Sequence, residues 1–176
     1  MLSVLMDCGA DDQKLAASLA TLIPGAVEGV VREVVLIDRG MDVSARKVAD
    51  HAGCRVAEPG DLHSVVAQAK GDWLLLLEPG ARLQPGWIPA VAEHVEEVAG
   101  GRAGASAVRF ARARADRPGL LGRFSQKRTA LAEGVLLRKA QALGQAKGAG
   151  SLEGVARGLA VGRLPAEIRP AQRRRK

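Results

Sequence analysis

The segment Gly71-Asp72-Trp73-Leu74-Leu75-Leu76-Leu77-Glu78-Pro79-Gly80-Ala81-Arg82-Leu83-Gln84-Pro85-Gly86-Trp87 decides the fold. It opens on a turn and runs through five apolar residues, Trp73 to Leu77, without alternation. That pattern belongs to a strand buried on both faces, as in a parallel sheet covered by helices. The run breaks at Glu78, followed by Pro79-Gly80. An acid at the carboxyl end of such a strand stands where open α/β sheets hold their ligands.

Upstream residues supply the sheet around it. Leu2 to Met6 reads as a first strand, ending at Asp7-Cys8-Gly9. Asp11-Asp12 cap a helix that runs to about Leu22, where Pro24-Gly25 is expected to stop it. Glu33 to Ile37 is a second buried strand, ending at Asp38-Arg39-Gly40. A helix over Asp42 to Ala52 closes at Gly53. Cys54 to Ala57 is a third strand and Leu62 to Ala69 a helix. Pro85-Gly86 opens a further helix from Trp87 to Val98, with Ile88, Val91, Val95 and Val98 on one face. Trp87 is expected to pack as core beside the central strand. Strands alternating with helices imply parallel βαβ units with right-handed crossovers. The acids Asp7, Asp38 and Glu78 then end neighbouring strands, and Asp38 and Glu78 are expected to line one groove.

Beyond Gly100-Gly101 the pattern loosens. Ala105 to Ala111 reads as another strand, Ala130 to Leu143 as a helix or strand–helix unit, and Leu152 to Leu159 as a short helix. Arg112 to Arg128 is basic, and Leu120, Leu121 and Phe124 give it an apolar face suited to its own sheet or a membrane surface. Residues 1–100 therefore form a first half, 101–169 a reduced second segment and 170–176 a basic tail.

Composition narrows the class. A chain of 176 residues fits one domain, and 47% apolar content is that of an ordinary globular protein. No apolar run reaches the roughly 18 residues a membrane helix needs. With no basic leader at its start, the chain is expected to be cytoplasmic. Cys8 and Cys54 have no metal spacing and read as reduced thiols. His51, His63 and His94 stand singly on helices, as surface or helix-face residues. Charge is divided: residues 1–100 carry 8 Lys+Arg against 15 Asp+Glu, whereas residues 101–176 carry 18 against 4. Such asymmetry points the second part toward an anion, whether a phosphorylated substrate, an anionic membrane surface or nucleic acid, the alternative being a solvated basic tail at Arg173-Arg174-Arg175-Lys176. Specific nucleic-acid binding is not expected, because Phe110 and Phe124 are the only aromatic residues of that half.

These strings resemble the family 2 glycosyltransferases of GT-A fold. The likeness lies in Glu33-Val34-Val35-Leu36-Ile37-Asp38-Arg39-Gly40, in Ala52-Gly53-Cys54-Arg55-Val56, and in Ala69-Lys70-Gly71-Asp72 with Leu83-Gln84-Pro85-Gly86-Trp87 around the central strand. It covers residues 1 to 98 and is fainter beyond. It implies an α/β, Rossmann-type, mostly parallel sheet and transfer of a sugar from a nucleotide-diphosphate donor. Asp7, Asp38, Asp42 and Glu78 would then bind the nucleotide sugar, with Glu78 holding Mg²⁺ or Mn²⁺.

The family's Asp-x-Asp is Glu78-Pro79-Gly80 here, so one carboxylate remains. Arg39, Lys70 and Arg82 are the cations available to stabilise the leaving diphosphate in its place. The family's Glu-Asp pair falls at Glu153-Gly154, which puts glycine at the base position and leaves Glu153 as the one candidate catalytic carboxylate there. Two outcomes stay open: a transferase with a reduced site, or a non-catalytic GT-A-like module that binds a partner or an anionic surface. A nucleotidyltransferase is disfavoured, because Asp7-Cys8-Gly9-Ala10-Asp11-Asp12 is acidic where a basic phosphate loop would stand.

Overall fold

The computed structural model describes residues 1–114 and 129–172. The chain forms β1 (Leu2–Cys8), α1 (Asp12–Val27), β2 (Val31–Asp38), α2 (Val43–His51), β3 (Arg55–Ala57), α3 (Leu62–Ala67), β4 (Trp73–Leu77), β5 (Arg82–Leu83) and α4 (Trp87–Ala99). Then follow β6 (Val108–Arg112), β7 (Val135–Arg138), α5 (Lys139–Ala146), α6 (Leu152–Ala156) and β8 (Gly162–Arg169). Most of the basic amphipathic stretch, including Leu120, Leu121 and Phe124, lies outside the described residues, as does Arg173 to Lys176.

All eight strands join one sheet in the order β3-β2-β1-β4-β7-β6-β8-β5. The first four are parallel, with Cys8 level with Asp38 and Met6 level with Leu77. β7 runs antiparallel to β4 and to β6, β6 runs parallel to β8, and β5 runs antiparallel to β8. The sheet is therefore mixed: parallel in its first half, part antiparallel in its second.

The central strand has the bounds read from sequence, and all five of its residues are buried. Alternate residues feed two cores. Leu75 and Leu77 join a cluster with Val4, Met6, Leu15, Leu36, Trp87, Phe110 and Ile168 on the side of α1, α2 and α4. Leu74 and Leu76 join Leu5, Val35, Leu62, Val66, Leu137, Leu152 and Val155 on the side of α3, α5 and α6. Truncating one such leucine to alanine costs about 2–5 kcal/mol, because the site cannot collapse from both sides.

Two expectations change, and one strand is new. Pro24-Gly25 does not end α1, which continues to Val27. Gly25 is buried there because a side chain would strike the Trp87 ring, 2.6 Å from where a Cβ would stand. The pair makes room for a tryptophan and does not break the helix. His94 is 6% exposed and meets the Trp73 ring edge-on, at 5.7 Å between centroids; it is a core residue. β8 had no counterpart in the sequence reading. Its Leu164, Ala166 and Ile168 point inward by simple alternation. Among the described residues, no helix is long and apolar enough to cross a membrane.

Candidate functional site

Strand order reverses between β1 and β4: β2 and β3 extend the sheet from one side of β1, and β4 opens the other. Crevices of open α/β sheets form outside the carboxyl ends of strands at such a point. Here those ends carry Asp7 and, one residue past β4, Glu78.

Asp7 sits between Met6 and Cys8, which belong to the larger core, so its carboxylate faces the other side, toward α6. Its Oδ1 accepts from Arg39 Nε at 2.8 Å and its Oδ2 from the backbone N–H of Leu152 at 2.8 Å. Arg39 Nη2 also donates to the Gly150 carbonyl at 2.8 Å. The start of α6, capped by Ser151, is thereby held against the tips of β1 and β2. Glu153 lies in the first turn of α6, half-buried, and pairs with the exposed Arg157 at 3.2 Å.

Asp38 stands on the same rim but on the opposite face, the side of Leu36. Its Oδ1 accepts from the N–H groups of Met41 and Gly40 at 2.7 and 2.8 Å, and its Oδ2 pairs with Arg46. The Met41 bond foremost, with the Gly40 bond and the Arg46 charge, holds its carboxyl below the usual range against the opposing effect of burial. The Asp38 carboxylate is thus taken up by its own turn and by Arg46. Asp38 secures a turn, while Asp7 and Glu78 stand at the carboxyl ends of the adjoining strands β1 and β4. Asp42 caps α2, its Oδ1 accepting from Ala45 N at 2.8 Å.

Glu78 accepts a hydrogen bond from the Thr129 hydroxyl. The turn that follows it is held from below by α1. Ser18, fully buried, donates to the Ala81 carbonyl at 2.8 Å and accepts from Gly80 N at 2.8 Å. Thr21 Oγ1 accepts from Leu83 N at 3.3 Å. Gly80 adopts φ +96°, a conformation side chains rarely tolerate, and a Cβ there would lie 3.1 Å from Lys14 Cγ. Near this turn, Arg112 Nε lies 3.6 Å from Glu133 Oε1, with only 11% of the arginine side chain exposed.

Of the expected cations, Arg39 and Arg82 stand at this rim; Arg82 opens β5 four residues after Glu78. Lys70 does not. It precedes β4 at the opposite edge, where its N–H, with the Ser3 hydroxyl, is bonded to Glu33. A five-residue strand, about 16 Å at the usual rise, separates it from Glu78, so it is removed from the site. Burial raises the Glu33 carboxyl, but these two bonds and the Arg55 charge bring it below its ordinary value.

No group of three or more His, Cys, Asp or Glu arranged to hold a metal occurs among the described residues. Glu78 alone does not constitute a metal centre. Both cysteines are free thiols; burial pushes Cys8 up to about 12 and Cys54 to about 11, so neither is a nucleophile at neutral pH. A cleft of about 420 Å³ between α4 and the starts of β6 and β8, lined by His94, Glu97, Val108 and Arg163, lies at the edge away from the acids.

Ser18, Thr129 and the Arg112–Glu133 pair were not read from sequence. Ser18 had a signal: it interrupts the buried stripe Leu15, Leu22 and Gly25 of α1. Thr129 and Arg112 had none, since only the return of β7 and β6 to the sheet brings them to the rim.

Parallel half, reversal point and returning antiparallel strands together make this a GT-A-like glycosyltransferase fold. Among solved structures, the chain is similar to glucosyl-3-phosphoglycerate synthase from Mycobacterium tuberculosis in complex with Mn²⁺, UDP and glucosyl-3-phosphoglycerate. The TM-score is 0.60 at 16% identity, over 100% of this chain and 73% of that one. The same enzyme with Mn²⁺ and UDP-glucose gives a TM-score of 0.61 at 16% identity, over 100% and 72%. Staphylococcus aureus TarS gives 0.60 at 14% identity, over 88% and 52%. No protein-family model matches the sequence, and no curated protein matches it significantly. At these identities the likeness is one of fold.

Proposed function

We propose that the protein is a glycosyltransferase of the family 2 type, moving a sugar from a nucleotide-diphosphate donor to an acceptor hydroxyl. The observation that carries this reading is the placement of Asp7 and Glu78 at the carboxyl ends of the adjoining strands β1 and β4, where the strand order reverses, in a GT-A-like fold. The nucleoside would enter over the β1 and β2 tips, near Asp7 and Asp42, with Asp38 shaping the turn beside it. The diphosphate would lie toward Glu78. Arg82, and Arg39 if released from Asp7, would offset its growing charge as the bond to the anomeric carbon breaks. Glu153 would take the acceptor proton as the acceptor oxygen bonds that carbon.

A divalent cation finds one protein carboxylate here, Glu78; such ions otherwise need phosphate and water ligands. The residues present therefore do not fit Mg²⁺ or Mn²⁺ as a protein-held ion, and the arginines would carry the charge.

One observation favours the second reading, a non-catalytic module that binds a partner or, at a membrane periphery, an anionic surface. Each acid of the rim is already engaged: Asp7 by Arg39 and Leu152, Asp38 by its turn and Arg46, and Glu78 by Thr129. Calorimetric titration of UDP- and GDP-sugars, with and without Mn²⁺, separates the two. Binding that Glu78→Gln removes supports the transferase. Silence across a broad donor panel overturns it in favour of the module.

A further inference from the structure

The place where a second acid after Glu78 would put its side chain is already filled. A Cβ at Gly80 would lie 3.1 Å from Lys14 Cγ and 3.2 Å from Lys14 Cδ. Both distances are shorter than the roughly 3.5–4.0 Å at which carbon atoms rest. The lysine stem therefore lies across the position that the sequence leaves to glycine.

Helix α1 aims it there. Lys14 and Ser18 are four residues apart and share a helix face. Ser18 bonds Gly80 N and the Ala81 carbonyl, each at 2.8 Å, so this face grips the turn. α1 begins at Asp12, just past the end of β1 at Cys8. Lys14 thus stands one turn nearer than Ser18 to the rim formed by the strand ends. Its ammonium is 2.9 Å from Asp11 Oδ2, and 35% of the lysine side chain is exposed. An exposed pair of this kind is weak, so the ammonium can exchange Asp11 for a stronger anion at small cost.

The chemistry proposed for this rim calls for such a charge. A leaving diphosphate gains negative charge as the bond to the anomeric carbon breaks, and either a metal ion or side-chain cations must meet it. Glu78 alone does not hold a divalent ion, and the Lys14 stem takes the place of the acid that would complete a pair. An ammonium is a compact point charge with three donors, suited to phosphate oxygens.

We infer that Lys14 stands in for the metal: its ammonium passes from Asp11 to the donor's diphosphate and stabilises it from the protein itself. Lys14 keeps its proton throughout and forms no covalent bond. This inference rests on the transferase reading, and it adds that donor binding needs no divalent ion.

The test is calorimetric titration of the whole protein with UDP, GDP and the matching nucleosides, in excess EDTA. Wild type is expected to bind one diphosphate more tightly than its nucleoside with no metal present. Lys14→Met keeps the stem and removes the charge. It should lower affinity for that diphosphate about tenfold, the scale of a lost hydrogen bond to a charged group, and leave nucleoside affinity unchanged. Lys14→Arg should restore most of the loss. A matching fall in nucleoside affinity makes Lys14 a support of the fold and overturns its role on the diphosphate. Equal diphosphate affinity in wild type and Lys14→Met overturns it too, as does wild-type binding that EDTA abolishes and Mn²⁺ returns. Nucleoside binding with no Lys14-dependent gain from the phosphates overturns the lysine's role alone. Silence of wild type toward all four probes overturns both that role and the transferase reading.

Discussion

Arg39 is bonded to Asp7 through one guanidinium nitrogen and to the Gly150 carbonyl through another, each at 2.8 Å. One side chain thus ties the tips of the first two strands to a segment 111 residues further along the chain. The first prediction follows from that fork. Arg39→Gln should lower stability by about 1 kcal/mol, the upper range for a pair that is only partly shielded from water. Arg39→Lys should not rescue it, because an ammonium lacks the two-pronged geometry. Urea unfolding should show a lowered midpoint at unchanged slope; a midpoint equal to wild type in both variants refutes the latch.

Ser18 serves the other half of the rim. Its hydroxyl bonds both Gly80 N and the Ala81 carbonyl. Ser18→Ala strands a buried donor and acceptor, at a cost of about 1–3 kcal/mol. It should also weaken any donor binding that depends on Glu78, since the turn after that residue loses its support. Denaturation reads the first effect and calorimetry the second. Full stability in Ser18→Ala shows that the turn holds without the helix.

Asp38 predicts an acid limb. Its carboxyl is held below the unfolded value of about 3.9, chiefly by the Met41 N–H. A depressed carboxylate contributes stability that is fully present above the unfolded pKa and is lost as pH falls through the folded pKa. Wild-type melting temperature should therefore drop as pH falls below about 4, and Asp38→Asn should show a shallower drop over the same window. Parallel acid limbs in the two proteins would remove Asp38 from this role.

Much of this architecture was readable because its strongest signals are local. Trp73 to Leu77 needs only an unbroken apolar run to be a central strand, and Asp11 announces its helix by capping chemistry. The misreadings are non-local. That Asp7 turns toward α6 while Asp38 turns to the opposite side depends on which core the neighbours of each join, and a single strand's sequence does not reveal it. Gly25 reads as a helix stop until Trp87, 62 residues away, is seen to fill its place. β8 hides because its outward positions are Arg163, Pro165, Glu167 and Arg169, a surface pattern that masks three inward apolar residues.

The last prediction concerns the missing second carboxylate. Restoring it as Gly80→Asp looks like the direct route back to a metal-binding pair. The backbone opposes it: φ is +96° at this residue, and a Cβ would lie 3.1 Å from Lys14 Cγ and 3.3 Å from Ala171 Cβ. A side chain in that conformation costs about 1–3 kcal/mol, and relieving the strain would pull Gly80 N away from Ser18. The Lys14 ammonium, on the adjoining helix, would also compete with any cation for the new carboxylate. Gly80→Asp should therefore lower the unfolding midpoint and give no Mn²⁺-dependent gain in UDP binding by calorimetry. If the variant is as stable as wild type and binds UDP more tightly with Mn²⁺, then the turn is not what excludes the second acid, and the loss of the pair is a matter of sequence alone.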